Sequence, residues 1–157
     1  VLPTIRSRCI SFAVAPVSPE DCARYCTAQG VGAKDAALYS ALFDGHIGTV
    51  LAAARDEARR EQVDRALALA KAAAARDSYA AAVLLAAYEK DKAGASALLA
   101  DFRAVAAAGL RDSPHSPVEG ETARKALGAA DAAMQQISAQ VNPKIVLSVL
   151  AAKFRTF

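Results

Sequence analysis

Apolar residues near the C-terminal end of the chain recur at the spacing of an α-helix. Successive members of this stripe lie three or four residues apart, so they share one face of a helix with 3.6 residues per turn. The stripe consists of Ala123, Leu127, Ala130, Met134, Ile137 and Val141. So regular a pattern is typical of a helix packed in a bundle. Because alanine, the strongest helix former, recurs along the rest of the chain, the sequence predicts an all-α fold.

Capping residues mark where helices begin and end. Ser18 followed by Pro19 predicts a helix start, and Gly30 suits the C-terminal cap of that helix. Asn142 followed by Pro143 predicts the start of the last helix. Further helices are expected over about 34–43, from near 47, over about 55–74 and 78–89, after about 92 to 110, and along the stripe. The residues expected to face inward in two of the helices are Val83, Leu84, Ala87 and Tyr88, and Val146, Val149, Leu150 and Phe154.

The segment 55–65 carries mixed charge. Acidic and basic residues are intermixed there, which favours a solvated helix with ion pairs four residues apart over a binding patch. We expect this helix to bridge two helical domains.

The sequence predicts a buried β-strand, not a helix, over residues 10–14. The run Ile10-Ser11-Phe12-Ala13-Val14 is short and almost wholly apolar, yet no second convincing strand follows it. A single strand cannot satisfy its own backbone hydrogen-bonding groups. We therefore expect this strand to pair with another molecule, or to complete a sheet from a preceding part of a longer protein.

Composition and motifs limit the function classes. The net charge of +3 does not by itself indicate nucleic acid, and no apolar run approaches the length that crosses a bilayer. The chain has three cysteines and two histidines without zinc-site spacing, so Cys22 and Cys26 are interpreted as buried, reduced thiols. There is no Gly-rich phosphate loop and no Ser/His/Asp set at plausible spacing. The sequence therefore predicts no active site, no cofactor and no bound metal of its own.

The clearest candidate functional residues lie within the first nine residues of the chain. Arg6 and Arg8 flank Ser7 directly after a proline turn, and Cys9 follows. A guanidinium stays charged at physiological pH and presents a planar fork of donors that fits phosphate oxygens. An arginine on such a turn can point into a neighbour's phosphate site, or it can be a solvated surface residue.

The stretch Leu-Pro-Thr-Ile-Arg-Ser-Arg-Cys resembles the Ser-Arg-Cys box of clamp-loader AAA+ subunits, and the lead-in is most similar to delta-prime subunits of the bacterial DNA polymerase III clamp loader. The resemblance implies that Arg8, with Ser7 and Cys9 of the box, is an arginine finger acting on the ATP of the adjacent subunit. The segment Gly45–Leu51 stands where the family carries its sensor-2 arginine. Here the matching position is Gly48, which implies a subunit that does not hydrolyse ATP.

The resemblance also covers the order of the predicted elements. It implies the end of an AAA+ core at 1–16, a three-helix lid at 17–56 and a five-helix-like collar for oligomerisation at 57–157, whose final helix begins at Asn142-Pro143. The implied partners are the other clamp-loader subunits, the neighbour's ATP, and the sliding clamp and primer-template DNA through the assembled complex. The implied setting is chromosomal DNA replication in the cytoplasm, within a nucleotidyltransferase holoenzyme and away from any membrane.

A second hypothesis is a stand-alone helical module that binds or regulates another protein. It predicts one continuous bundle into which residues 1–16 pack as an integral part. The clamp-loader hypothesis predicts instead an isolated N-terminal strand followed by two helical subdomains. The third hypothesis is that the protein is an enzyme. The sequence contains no recognisable catalytic constellation that would support it.

Overall fold

The computed structural model describes residues 8–10, 12, 15 and 17–157, and these residues form eight α-helices without a β-strand. In chain order the helices are α1 Pro19–Ala28, α2 Ala33–Leu42, α3 Ile47–Arg55, α4 Glu57–Ala74, α5 Ser78–Ala86, α6 Lys92–Leu110, α7 Gly120–Ser138 and α8 Pro143–Lys153. A short 3-10 helix, Phe154–Thr156, follows α8. The all-α prediction is confirmed for the described part of the chain.

The helices pack as two neighbouring groups. In the first group, α1 lies against α2, and α3 packs on both of them. In the second group, α6 packs along α7 and α4, while α5 packs against α8. The groups meet between α3 and α4, where α3 ends at Arg55 and Asp56 caps α4. The predicted domain boundary at 56/57 and the assignment of these groups to a lid and a collar stay predictions.

Polar side chains start the helices as the sequence indicates. The Ser18 hydroxyl accepts a hydrogen bond from the Asp21 amide at 3.1 Å, and Pro19 opens α1. The Asn142 side chain accepts from the Lys144 amide at 2.9 Å, and Pro143 opens α8. Each cap supplies an acceptor to an amide that has no partner within its helix, which fixes where the helix begins.

The predicted stripe on α7 faces the core for most of its length. Ala123, Ala130 and Ile137 are buried, and Leu127 and Met134 are half-buried. The prediction is wrong at its last member, because α7 ends at Ser138 and leaves Val141 39% exposed beyond it.

Three other inward predictions are also wrong. Ala87 is exposed, because α5 ends at Ala86. Val83 on α5 is 57% exposed and Val149 on α8 is 46% exposed, whereas Leu85 and Leu147 fill the core in their place. Both helices are apolar on most sides, so the spacing alone does not select the face that packs. The selection comes from the mutual packing of α5 and α8.

Helix α6 is the most apolar long helix of the bundle. Its 19 residues have a mean hydropathy of 1.3 over the best window, so by length and composition the helix could span a membrane, contrary to the expectation from the sequence. Half of that window is buried by the other helices. Its core residues Leu98, Leu99 and Phe102 pack inside the second group, which is the usual reason for such a composition in a core helix.

The predicted strand at 10–14 falls mostly outside the described residues. Ile10 and Phe12 are described; neither belongs to a strand, and they are 84% and 85% exposed. The described part of this chain does not bury these two large apolar side chains. The strand itself stays a prediction.

Candidate functional site

The residues of the predicted arginine-finger box lie ahead of α1. Arg8 and Cys9 are exposed, and Ser7 lies outside the described residues. Arg8 forms no ion pair with any described residue. Its guanidinium is therefore accessible to a group on another molecule.

The predicted sensor-2 position lies in the first turn of α3. Gly48 is exposed, and a Cβ added there would meet nothing within 4 Å. His46 precedes the helix as its N-cap residue, is exposed and makes no capping hydrogen bond through its side chain. The surface around Gly48 is thus open and would accept a larger side chain.

The two cysteines of α1 are both fully buried, as the sequence predicts. Burial is the main cause that raises the pKa of the Cys26 thiol, and the neighbouring Cys22 raises it further. A raised pKa keeps the thiol protonated and unreactive at neutral pH. Among the described residues, no group of three or more His, Cys, Asp or Glu side chains could hold a metal ion.

A largely buried ion pair links α4 and α6 within the second helical group. Both nitrogens of the Arg59 fork donate to the carboxylate of Asp101, the Nη2–Oδ1 distance being 2.6 Å. Gln62 donates a third hydrogen bond to Asp101 at 2.8 Å, and the Arg59 guanidinium lies 5.5 Å from the centre of the Phe43 ring. The bidentate geometry satisfies the carboxylate, and the hydrogen bond to Asp101 is the main cause that raises the pKa of Arg59.

We call these four residues, Phe43, Arg59, Gln62 and Asp101, the joint. Phe43 directly follows α2 of the first group, while the others belong to α4 and α6 of the second. Only 7% of the Asp101 side chain is exposed, against 23% for Arg59. The carboxylate is therefore the member that depends on its partners, because a buried charge without hydrogen bonds is strongly unfavourable.

Sequence reasoning missed the joint. Arg59 was assigned to a solvated helix, and that interpretation is wrong for this residue, although Arg65 and Glu61 do form an exposed pair four residues apart at 3.4 Å. A signal was present in Asp101, an acidic residue that lies among the apolar residues Leu98, Leu99, Phe102 and Val105. A carboxylate on a buried face requires a partner, but the partner lies 42 residues away and periodicity cannot identify it.

Other arginines also cross between the two groups. Arg111 at the end of α6 donates to the carbonyl of Ala41 at 3.1 Å, and its Nε lies 3.6 Å from Asp44. The Nη2 atom of Arg60 on α4 lies 3.9 Å from the Oδ2 atom of Asp35 on α2. These are exposed contacts and individually weak. The Arg59–Asp101 pair does not add to them, because both of its helices belong to the second group.

A cleft of about 260 Å³ lies beside the joint. One wall is the turn between α2 and α3, and the other is the C-terminal half of α6. The lining residues are Leu42, Phe43, Asp44, His46, Thr49, Arg103, Ala104, Ala107 and Arg111. The cleft therefore combines an apolar floor with two guanidinium groups.

Comparison of this chain with protein-family models, with curated proteins and with solved structures finds no match.

Proposed function

We propose that this chain is a clamp-loader subunit of the delta-prime type, in which Arg8 acts on the ATP of a neighbouring subunit. The observation that carries the proposal is the accessible guanidinium of Arg8 within the Ser-Arg-Cys box, immediately ahead of the helical groups. An arginine finger stabilises the charge that develops on the transferred phosphoryl group, so it must project out of its own subunit.

Two further features support the proposal. Ile10 and Phe12 are exposed, as expected for residues whose natural neighbours belong to a preceding nucleotide-binding core. Three helices are followed by five, in the order of a lid and a collar. In this role the subunit does not hydrolyse ATP, since Gly48 replaces the sensor-2 arginine, and its collar holds the ring that opens the sliding clamp and places it on primed DNA.

The joint gives this role a mechanical basis. The Arg59 guanidinium, held within the collar by its bidentate ion pair with Asp101, lies 5.5 Å from the centre of the Phe43 ring of the lid and so connects the two. Such a subunit would present Arg8 from a firm support. The alternative, a stand-alone binding or regulatory module, expects residues 1–16 to pack against the bundle, and the exposure of Ile10 and Phe12 favours the clamp-loader role over it.

The test uses the full-length protein, assembled with its partner subunits. We expect Arg8→Ala to lower clamp-dependent, DNA-stimulated ATP hydrolysis about tenfold or more, because a finger contributes on the order of 10³ to 10⁵ in kcat at the site it serves. Size-exclusion chromatography should show that the complex still assembles.

The matched control is Arg24→Ala. Arg24 is also an exposed arginine near the N-terminal end, but it pairs with Asp21 of its own helix, so its removal should leave hydrolysis unchanged. Unchanged hydrolysis for Arg8→Ala within an intact complex would make Arg8 a surface residue. Failure of the wild-type protein to join the complex would favour the stand-alone module.

A further inference from the structure

The cleft beside the joint has features of a binding site that the proposed function does not use. Its polar lining comes from both helical groups: Asp44, His46 and Thr49 from the first, Arg103 and Arg111 from the second. Its volume of about 260 Å³ is slightly below the roughly 300–1,000 Å³ usual for drug-sized ligands. The space therefore suits a small molecule.

Each arginine of the cleft is held in position yet keeps unused donors. Arg103 donates through Nε to Asp131 on α7 at 2.6 Å. Arg111 donates through one Nη to the carbonyl of Ala41. Because a guanidinium has five N–H donors, most donors of both groups remain available to a ligand in the cleft. Anchored guanidinium groups lose less side-chain freedom when they bind an anion.

The spacing of the two arginines indicates the shape of that anion. They are eight residues apart on α6, which corresponds to about 12 Å along the helix axis. Ala104 and Ala107 line the wall between them and leave the space open. Because both arginines line the cleft, an elongated anion with a charge at each end can contact both and suits the cleft better than a single spherical ion.

We propose that this cleft binds a small diphosphate, with one phosphoryl group at Arg103 and the other at Arg111. Thr49 lines the opposite wall, and a threonine hydroxyl can donate a further hydrogen bond. Asp44 is the one acidic residue of the lining, and its 3.6 Å separation from Arg111 exceeds a good hydrogen bond, so a phosphoryl group can take its place at the guanidinium. This inference is independent of Arg8.

The test is isothermal titration of the purified protein with inorganic pyrophosphate, at constant ionic strength. We expect saturable binding of one pyrophosphate per chain, and weaker binding of inorganic phosphate, which reaches only one arginine. Arg103→Gln should weaken pyrophosphate binding about tenfold or more, since it removes charge-assisted hydrogen bonds. This variant should fold, because the pair it breaks is half-exposed on both sides.

Arg124→Gln is the matched control. Arg124 is likewise an exposed arginine paired with a carboxylate, Glu121, but it lies on α7 outside the cleft lining, and its loss should leave the affinity unchanged. Amide chemical shifts in segments 44–49 and 103–111 should move during the titration. A titration with ADP then distinguishes the source: equal affinity would indicate the diphosphate of a nucleotide, and weaker affinity a free diphosphate.

Three outcomes would overturn the proposal. They are no saturable binding of pyrophosphate at millimolar concentration, binding that Arg103→Gln leaves unchanged, and phosphate binding as tight as pyrophosphate binding.

Discussion

At the scale of single residues, Asp101 is the one charged side chain that is buried among the described residues. It places a carboxylate that is 7% exposed between α4 and α6, where three hydrogen bonds from Arg59 and Gln62 offset the loss of water. Arg59 is more exposed and can reach solvent if its partner is lost. The two members of the pair should therefore respond differently to substitution, even though they share the same bonds.

Replacing Arg59 by methionine should be more damaging than replacing Asp101 by asparagine. Arg59→Met leaves the Asp101 carboxylate buried with only Gln62 as a donor, and we expect a loss of about 3 kcal/mol or more in the free energy of unfolding. Asp101→Asn keeps the size and one acceptor, and should cost about 1–2 kcal/mol. Urea unfolding followed by circular dichroism measures both values.

The control for this comparison is Asp131→Asn. It breaks the ion pair with Arg103, whose side chains are 50% and 52% exposed, and it should change stability by less than about 1 kcal/mol. The double variant Arg59→Met/Asp101→Leu should recover much of the loss, because it removes both charges together. Equal stability of Arg59→Met and the wild type would show that the joint contributes nothing.

At the scale of elements, the turn between α2 and α3 depends on a glycine. Gly45 has φ of +72°, a conformation that side chains with a Cβ rarely adopt. A Cβ at this position would lie 1.8 Å from the carbonyl oxygen of Val17, so the turn and the segment before α1 are in direct contact. The close approach ties the residues that follow the arginine box to the first helical group.

Gly45→Ala and Gly48→Ala should have opposite effects on stability. Gly45→Ala forces the backbone of Val17 or the turn to move, and we expect it to cost about 2 kcal/mol or more. Gly48→Ala places a methyl group in open space inside α3, and it should stabilise the protein by roughly 0.5–1 kcal/mol. Thermal unfolding of the two variants and the wild type measures both changes in stability. A Gly45→Ala variant more stable than the wild type would refute the close contact with Val17.

The sequence predicts most of the elements but not the contact that joins them. Local signals such as Ser18-Pro19 and Asn142-Pro143 place helix starts correctly, because a cap acts within one turn. The faces of alanine-rich helices are less predictable, as Val83 and Val149 demonstrate, since several faces are apolar enough to pack. The Arg59–Asp101 pair and the cleft near Arg103 depend on residues that only the tertiary fold brings together.

At the scale of the whole molecule, ionisable side chains are buried in the first helical group. Cys26 and Tyr39 both lie in the first helical group, and burial is the main cause that raises the pKa of each, above 9.0 for the thiol and above 10.0 for the phenol. A raised pKa means that the folded state holds the proton more tightly than the unfolded state does. The stability from these groups is complete below the unfolded pKa and is lost as the pH rises through the folded pKa.

We therefore expect the free energy of unfolding to fall as the pH rises above about 9. Urea unfolding at pH 7 and at pH 10 measures the change. Cys26→Ala should reduce the difference between the two pH values, because it removes one of the groups responsible. Cys9→Ala, which removes an exposed cysteine, should leave the difference intact. Stability that is constant over this pH range would contradict the burial of both groups.

The joint also limits how this protein can diverge. A change at Arg59 alone leaves a buried carboxylate with one donor, and a change at Asp101 alone leaves the donors of α4 without their acceptor, so we expect either single step to lower stability. Homologues should therefore keep both charges or replace both with apolar residues, and positions 59 and 101 should covary although 42 residues separate them. A family alignment would reveal this pair as a signature of how α4 and α6 are held together.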